Sequence, residues 1–169
     1  MNDLGLGKIS RGTLLDPVHN LGGAQSAKDN FAYVDVIHTS KLGALEWIGH
    51  IDFYPNGGEI QPCTCNNPCP DVDCNINEGQ PNDHKRAPAL FEESIANENK
   101  FLSWKCPDNM DYEEWEGMGI ERSCPLEETN TLVSMGEYST ANGLPEGVFY
   151  LKTNGKSPYS CSADNLLCD

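Results

Sequence analysis

Positive charge is scarce in this chain, and long hydrophobic runs are absent. Eleven Lys and Arg stand against 26 Asp and Glu, which gives the 169 residues a formal net charge of −15. An acidic surface repels nucleic acid and anionic membranes, so both are excluded as partners, whereas a neutral lipid interface is not. No apolar run approaches the roughly 18 residues that a membrane-spanning helix needs. The protein is therefore expected to bind no nucleic acid and to have no transmembrane segment.

The first residues also lack the pattern of a secretion signal, which is a basic start followed by an apolar core. Eight cysteines nevertheless indicate four disulfides and an oxidising, extracellular destination. The simplest explanation is that the sequence is the later part of a longer secreted protein. Connectivity cannot be deduced, but proximity favours pairs within the cluster Cys63, Cys65, Cys69 and Cys74, then Cys106 with Cys124 and Cys161 with Cys168.

Local patterning predicts short strands and one clear helix. Residues 8–15 predict a short strand that stops at Asp16-Pro17, and residues 31–38 (FAYVDVIH) predict an apolar strand suited to the interior of a parallel sheet. Residues 50–54 predict another strand before the turn Pro-Asn-Gly-Gly. Residues 87–97 predict a helix with Pro88 in its first turn and with Leu90, Phe91, Ser94 and Ile95 on one side. Residues 147–153 predict a closing strand at a sheet edge.

The remaining stretches have little periodicity. Residues 21–30 and 108–140 are predicted as loops, the latter acidic. Residues 61–83, rich in Cys, Pro, Asn and Asp, are predicted as a stapled surface loop. A zinc site is a weaker interpretation of its cysteines, because the paired C-x2-C knuckles of structural zinc sites are missing.

Asp16 and His84 are the candidate chemical groups. An Asp-Pro after an apolar run is most often a turn initiator, in which the side chain caps backbone donors. At the carboxyl end of a parallel strand, however, such an acid can orient a catalytic histidine. His84 is likewise either a solvated histidine in a polar loop or a general base whose tautomer Asp16 holds.

Four segments resemble the extracellular lipase family, which contains pancreatic lipase, lipoprotein lipase and the venom phospholipases A1. They are KISRGTLLDPV around Asp16, VDVIHT, GHIDFYPNGG, and DHKRAPALFEESI around His84, and the likeness extends over residues 6–158. The resemblance implies an α/β fold, namely the C-terminal half of an α/β-hydrolase, with parallel strands, helices and a disulfide-stapled lid loop at residues 61–83. Residues 1–160 would be the partial domain, and residues 161–169 a cysteine-containing tail.

The resemblance further implies that Asp16 and His84 are the acid and the base of a Ser–His–Asp triad, and that His38 and His50 belong to the scaffold. His19 is given no role. The nucleophile is missing, because Ser10 is the only serine before Asp16 and no G-x-S-x-G occurs. Without serine and oxyanion hole the chain alone is expected to be inactive. The intact protein would be a secreted lipase or phospholipase A1 whose N-terminal half supplies the serine.

One departure from the family concerns the approach to His84, where the segment INEGQPND (76–83) separates Cys74-Asn75 from the histidine. Whether His84 can contact Asp16 therefore has to be tested in the structure. The compact, polar loop at residues 61–83 favours an open, phospholipase-like mouth. No cofactor is expected. A structural calcium ion is doubtful, because the loop of residues 19–30 offers Asp29 as its only carboxylate.

The expected substrates are glycerolipids or phospholipids at an interface. The alternative is a non-catalytic, lipase-like secreted protein that binds lipid or has a structural role. In either case half of an α/β sheet leaves strand edges uncovered, so the isolated chain is expected to aggregate through exposed apolar strands such as residues 31–37.

Overall fold

Short apolar runs rich in β-branched and aromatic residues become the strands of one mixed sheet. The computed structural model describes residues 7–18, 27–70, 82–98, 100–118, 122–125, 131–139, 146–161 and 168. Within these ranges the elements, in chain order, are β1 (Gly12–Leu15), α1 (Ala27–Asn30), β2 (Val34–Ile37), β3 (Ile51–Pro55), α2 (Asp83–Ala96), β4 (Leu102–Lys105), α3 (Tyr112–Gly117), β5 (Leu132–Ser134) and β6 (Gly147–Leu151).

The strands lie in the order β1-β2-β3-β6-β4-β5. The first four run parallel, with Leu15 opposite Ile37, Ile37 opposite Phe53, and Phe53 opposite Phe149, while β4 and β5 are antiparallel to their neighbours. The predicted α/β architecture with parallel strands and helices is confirmed. Because parallel strands point the same way, β1, β2, β3 and β6 all end at one edge of the sheet, called here the C-terminal edge.

Strand β2 confirms the prediction of an interior strand but corrects the prediction that it is exposed. Val34, Val36 and Ile37 are fully buried, because β1 and β3 cover the two sides of β2 and its faces pack into the core. The strands at the two ends of the sheet are β1 and β5, and the four residues of β1 are only half-buried. The uncovered edges in the described part of the chain therefore belong to β1 and β5 rather than to β2.

Helix α2 begins at Asp83, four residues earlier than predicted. Asn82 caps it, since its side chain accepts a hydrogen bond from the Lys85 amide at 2.8 Å. Pro88 consequently stands in the second turn rather than the first. Leu90 and Ser94 are buried as the pattern predicts, but Ile95 is 53% exposed, because it lies at the margin of the apolar face.

The second half of the chain refines one prediction and corrects another. Residues 108–140 contain α3 and β5 as well as loops, and α3 starts where the Asp111 side chain accepts from the Glu114 amide at 2.8 Å. Strand β6 is interior rather than at an edge, because β4 pairs with it on the side away from β3. The sequence pattern did not predict β4, and its pairing with β6 is the reason that β6 lies in the interior of the sheet.

The two faces of the sheet carry separate hydrophobic clusters. Phe53, Phe149 and Leu90 belong to the cluster under α2, and each buried side chain of this size contributes roughly 1.5–3 kcal/mol. Trp115 of α3 belongs to the other cluster and packs edge-on against Tyr54 at 4.9 Å between ring centroids. Packing on both faces fixes the strand ends at the C-terminal edge.

Disulfides join Cys63 to Cys69, Cys106 to Cys124, and Cys161 to Cys168, as proximity in the sequence predicted, and Cys65 is disulfide-bonded as well. The disulfide-stapled character of the loop at residues 61–83 is thereby confirmed for its first part. Residues 71–81 of that loop, and His19, lie outside the described residues. No helix among the described residues is long and apolar enough to cross a bilayer.

Candidate functional site

Asp16 stands directly after β1 at the C-terminal edge. Its amide still donates to the Ile37 carbonyl at 2.8 Å, so the residue continues the ladder with β2 before the chain turns away. Its φ of 48° lies in the left-handed region, which Asp tolerates better than most residues. The side chain is fully buried. A buried carboxylate in this position requires donors from other segments.

The loop after β2 supplies those donors. The amides of Thr39 and Ser40 donate to Asp16 Oδ1 at 2.8 and 3.1 Å, and the Ser40 hydroxyl donates to Oδ2. Gly43 closes the turn against the same carboxylate, and a Cβ at this position would lie 2.8 Å from Asp16 Cγ. The buried charge is therefore fully hydrogen-bonded in a cradle that admits no larger residue at position 43.

His84 is the second residue of α2, and its ring meets the same carboxylate. Nδ1 lies 2.7 Å from Asp16 Oδ2, and the side chain remains 37% exposed. A carboxylate accepts, so Nδ1 donates and the free position of the ring is Nε2. The structure thus brings together the two predicted site residues, 68 positions apart in sequence. The segment that precedes His84 does not prevent this contact.

A cavity of about 410 Å³ opens beside His84. It is lined by polar and apolar side chains from the loops before and after β3 and from the start of α2: Ser40, Lys41, Leu42, Glu59, Ile60, Asn66, Asn82, Asp83 and His84. Ser40 is the one serine on this wall, and its hydroxyl already donates to Asp16 and accepts from the Leu42 amide at 3.2 Å. Within the described residues, the cavity wall therefore offers His84 no serine to deprotonate.

A larger cavity of about 640 Å³ adjoins the first and shares Ile60 and Asn66 with it. Its other walls come mainly from the ends of β3 and β6, which include Asn56, Lys152 and Asn154. Side-chain amides predominate there, and they largely satisfy one another and nearby carbonyls. This cavity extends the cleft but carries no acid–base pair.

The two scaffold histidines make contacts that keep them away from the cleft. His38 is fully buried, with Nδ1 2.6 Å from the Ala44 carbonyl and Nε2 2.8 Å from Asp52 Oδ1. His50 accepts from the Val34 amide through Nδ1 at 3.0 Å. Both rings therefore hold backbone segments of the parallel strands together.

Burial changes the pKa of several groups near the sheet, among them Asp35 and Arg86, without creating a second site. Desolvation raises the pKa of Asp35, which the hydrogen bond from Arg11 only partly offsets, but this residue lies towards the opposite edge of the sheet. Desolvation also lowers the pKa of Arg86 in the first turns of α2. Neither group contacts the Asp16–His84 pair.

Sequence reasoning missed the residues that hold the pair in place: Thr39, Ser40, Gly43, Gln61 and Asp83. Thr39 and Ser40 act mainly through their backbone amides, which almost any residue type would supply, so the sequence does not reveal them. Gly43 and Asp83 carried weak signals, since a glycine opposite an acid and a second acid beside the histidine are both unusual. Neither signal is interpretable until the fold brings residues 16, 40 and 84 together.

The described residues contain no grouping of three or more His, Cys, Asp or Glu side chains suited to a metal ion. Residues 19–26 of the loop considered for calcium lie outside the described ranges, and Asp29 is an exposed residue of α1. The expectation that no cofactor is needed stays a prediction.

Comparison with known proteins agrees with the earlier resemblance. A family model described as Lipase matches residues 3–159. Lipase member H-B of Xenopus laevis is 36% identical over 113 residues, which are 63% of this chain and 24% of that protein. Lipase member H of Rattus norvegicus is 35% identical over 130 residues, 70% of this chain and 28% of that protein. Lipoprotein lipase of Homo sapiens is 29% identical over 180 aligned positions, 90% of this chain and 34% of that protein. The chain thus spans about a quarter to a third of these relatives.

Proposed function

The chain belongs to the lipase family, and from this premise we propose that it supplies the acid and the base of a secreted carboxylic ester hydrolase acting on glycerolipids. The observation that carries the proposal is the contact between His84 Nδ1 and the buried Asp16 carboxylate at the C-terminal edge of a parallel sheet. Ligands of open α/β sheets bind in the crevice at that edge.

The chemistry follows from the free ring nitrogen. A serine placed near His84 Nε2 would lose its proton to the ring as it attacks the ester carbonyl, and the ring would return that proton to the leaving alcohol. Water would then hydrolyse the acyl-enzyme by the same route. Asp16 would hold the Nδ1–H tautomer of His84 and stabilise the imidazolium. The amides of Thr39 and Ser40 hold the Asp16 carboxylate in place for this role.

The serine and the oxyanion donors would come from a segment N-terminal to this chain. Strand β1 ends the sheet on the side of Asp16, so a further parallel strand added along β1 would end beside the Asp16–His84 pair. The greater length of the curated relatives leaves room for such a segment.

The substrate would be a glycerolipid or phospholipid at an interface. Val18 and Leu42 are 40% and 66% exposed, and the bridge between Val18 and Gly43 places them on the rim beside Asp16. Exposed apolar side chains at a cleft mouth favour contact with lipid, and the net charge of −15 favours a neutral interface.

The disulfides support an extracellular location.

A second candidate is a secreted, lipase-like protein that binds lipid without hydrolysing it. The engagement of the Ser40 hydroxyl with Asp16 favours this candidate for the 169-residue form taken alone.

The decisive experiment joins the chain to the coding sequence that lies upstream of Met1. If that sequence encodes G-x-S-x-G, the longer protein should cleave a fluorogenic short-chain ester, and His84→Gln should lower kcat by about 10⁴-fold or more. The matched control is His50→Gln, a scaffold histidine, which should leave kcat within a few-fold. An upstream sequence without a serine elbow, or full activity in His84→Gln, would refute the proposal and favour the lipid-binding candidate.

A further inference from the structure

The placement of His84 is not explained by its helix. Proline has no amide hydrogen, so Pro88 cannot donate to the carbonyl four residues earlier, which is that of His84. The Asn82 cap accepts a hydrogen bond from the amide of Lys85, not from His84. The first turn of α2 therefore needs another attachment to hold His84 within bonding distance of Asp16.

Asp83 provides that attachment. It is 2% exposed, and its carboxylate accepts hydrogen bonds from three groups of the loop that follows β3. The backbone amide of Gln61 and the Thr64 hydroxyl donate to Asp83 Oδ1 at 2.7 and 2.8 Å, and the Asn66 side-chain amide donates to Asp83 Oδ2. A buried carboxylate with three donors is held firmly, because hydrogen bonds to charged groups are stronger than neutral ones.

The same loop leads back to the partner of His84. Gln61 is fully buried, and its side-chain amide donates to the Thr39 carbonyl at 3.3 Å and to the Pro55 carbonyl at 2.8 Å. The amide of Thr39 in turn donates to Asp16 Oδ1 at 2.8 Å. The contacts form a closed ring through Asp16, Thr39, Gln61, Asp83 and His84. Each residue of the catalytic pair is thereby located relative to the other through buried groups.

We infer that Asp83 is a positioning residue that fixes the His84 ring against Asp16 through Gln61 and Thr39. The inference rests on the proposed role of His84 as general base. Loss of the Asp83 carboxylate would leave the Gln61 backbone amide buried without its acceptor and the Thr64 hydroxyl with only the Gln61 carbonyl at 3.0 Å, and would let the first turn of α2 move.

The test measures the Nδ1–H proton of His84 by NMR in the 169-residue chain with isotope-labelled histidine rings. Only four histidines are present, so the ring signals can be assigned by single substitutions. In Asp83→Ala we expect this proton to exchange with water about tenfold faster or to be lost. Asp83→Asn keeps an oxygen that accepts from Gln61 and Thr64, so its exchange rate should stay within about threefold of the parent rate.

Two controls separate positioning from stability. Asn82→Ala weakens the same helix terminus, at a cost of about 1 kcal/mol, without touching the loop of residues 61–66, and it should leave the His84 proton unchanged. The His38 Nδ1–H, bonded to the Ala44 carbonyl in the core, reports whether the fold is intact. If Asp83→Ala loses that signal too, the isosteric Thr64→Val, which removes one donor only, should still speed His84 exchange with the His38 signal retained.

An unchanged His84 proton in folded Asp83→Ala, an equal effect of Asn82→Ala, or, where Asp83→Ala unfolds, no effect of Thr64→Val would overturn the inference. The measurement needs neither serine nor substrate. A failure of ester hydrolysis in the longer protein would therefore refute the proposed function and leave this result standing.

Discussion

Asp16 shows how the meaning of one residue depends on groups distant in sequence. In an Asp-Pro turn the side chain caps nearby amides, yet here it accepts from Thr39 and Ser40, more than 20 positions away. Full burial of the carboxylate is possible only because those donors replace water. The turn interpretation therefore fails for the side chain, although the chain does turn at this residue.

Gly43 gives a residue-scale prediction. Gly43→Ala would place a methyl group against the Asp16 carboxylate, so Asp16 would have to shift away from His84. We expect the His84 Nδ1–H signal to weaken and the free energy of unfolding to fall by about 1–3 kcal/mol. NMR and urea denaturation measure the two effects.

The matched control is Gly117→Ala in α3, where an added methyl group meets no atom within 4 Å. This substitution should leave the His84 signal unchanged and should not destabilise the protein. Equal effects of the two alanines would show that the Asp16 cradle is not sensitive to size at position 43.

At the scale of elements, α2 carries the proposed base of the site, and Arg86 attaches its first turns to the neighbouring loops. Arg86 donates to the carbonyls of Pro62, Asn154 and Gly155 at 2.8–3.2 Å, and its guanidinium lies 4.4 Å from the centre of the Tyr159 ring. One side chain thus joins α2 to the cysteine loop and to the segment after β6. The sequence predicted the helix but not this attachment, because its acceptors are backbone carbonyls.

Arg86→Lys should therefore not behave as a conservative change. An ammonium group cannot reach all three carbonyls or stack on Tyr159 as a guanidinium does, so we expect a loss of about 2 kcal/mol in unfolding free energy. Chemical denaturation provides the measurement. Lys85→Arg, at the exposed neighbouring position, is the control and should change stability by less than about 0.5 kcal/mol.

At the scale of the whole molecule, the sheet is open, and β1 is the edge strand beside the site. An exposed apolar side chain on this side is Ile9, which is 59% exposed and whose backbone bridges to Phe31. An unpaired strand edge with apolar neighbours promotes association. The aggregation predicted from sequence is thus assigned to β1 instead of residues 31–37.

Ile9→Glu should accordingly reduce self-association of the isolated chain, because a charge beside the edge opposes strand addition. Sedimentation velocity at several concentrations gives the oligomer distribution. Ile95→Glu, at an isoleucine of similar exposure on α2, is the control and should leave that distribution unchanged. A monomeric parent chain at all concentrations would contradict the assignment of an adhesive edge to β1.

The sequence by itself predicted the family, strands within residues 8–15, 31–38 and 50–54, a helix over residues 87–97, the pairs Cys106–Cys124 and Cys161–Cys168, and the two candidate site residues. These depend on local pattern, short separations and motif order, all of which are visible in one dimension. Only the tertiary structure decided that Asp16 and His84 touch, that β6 is interior, and that Gln61, Thr39 and Asp83 link the pair. The reason is physical: these features arise from backbone amides, carbonyls and strand neighbours that converge only after the sheet has formed.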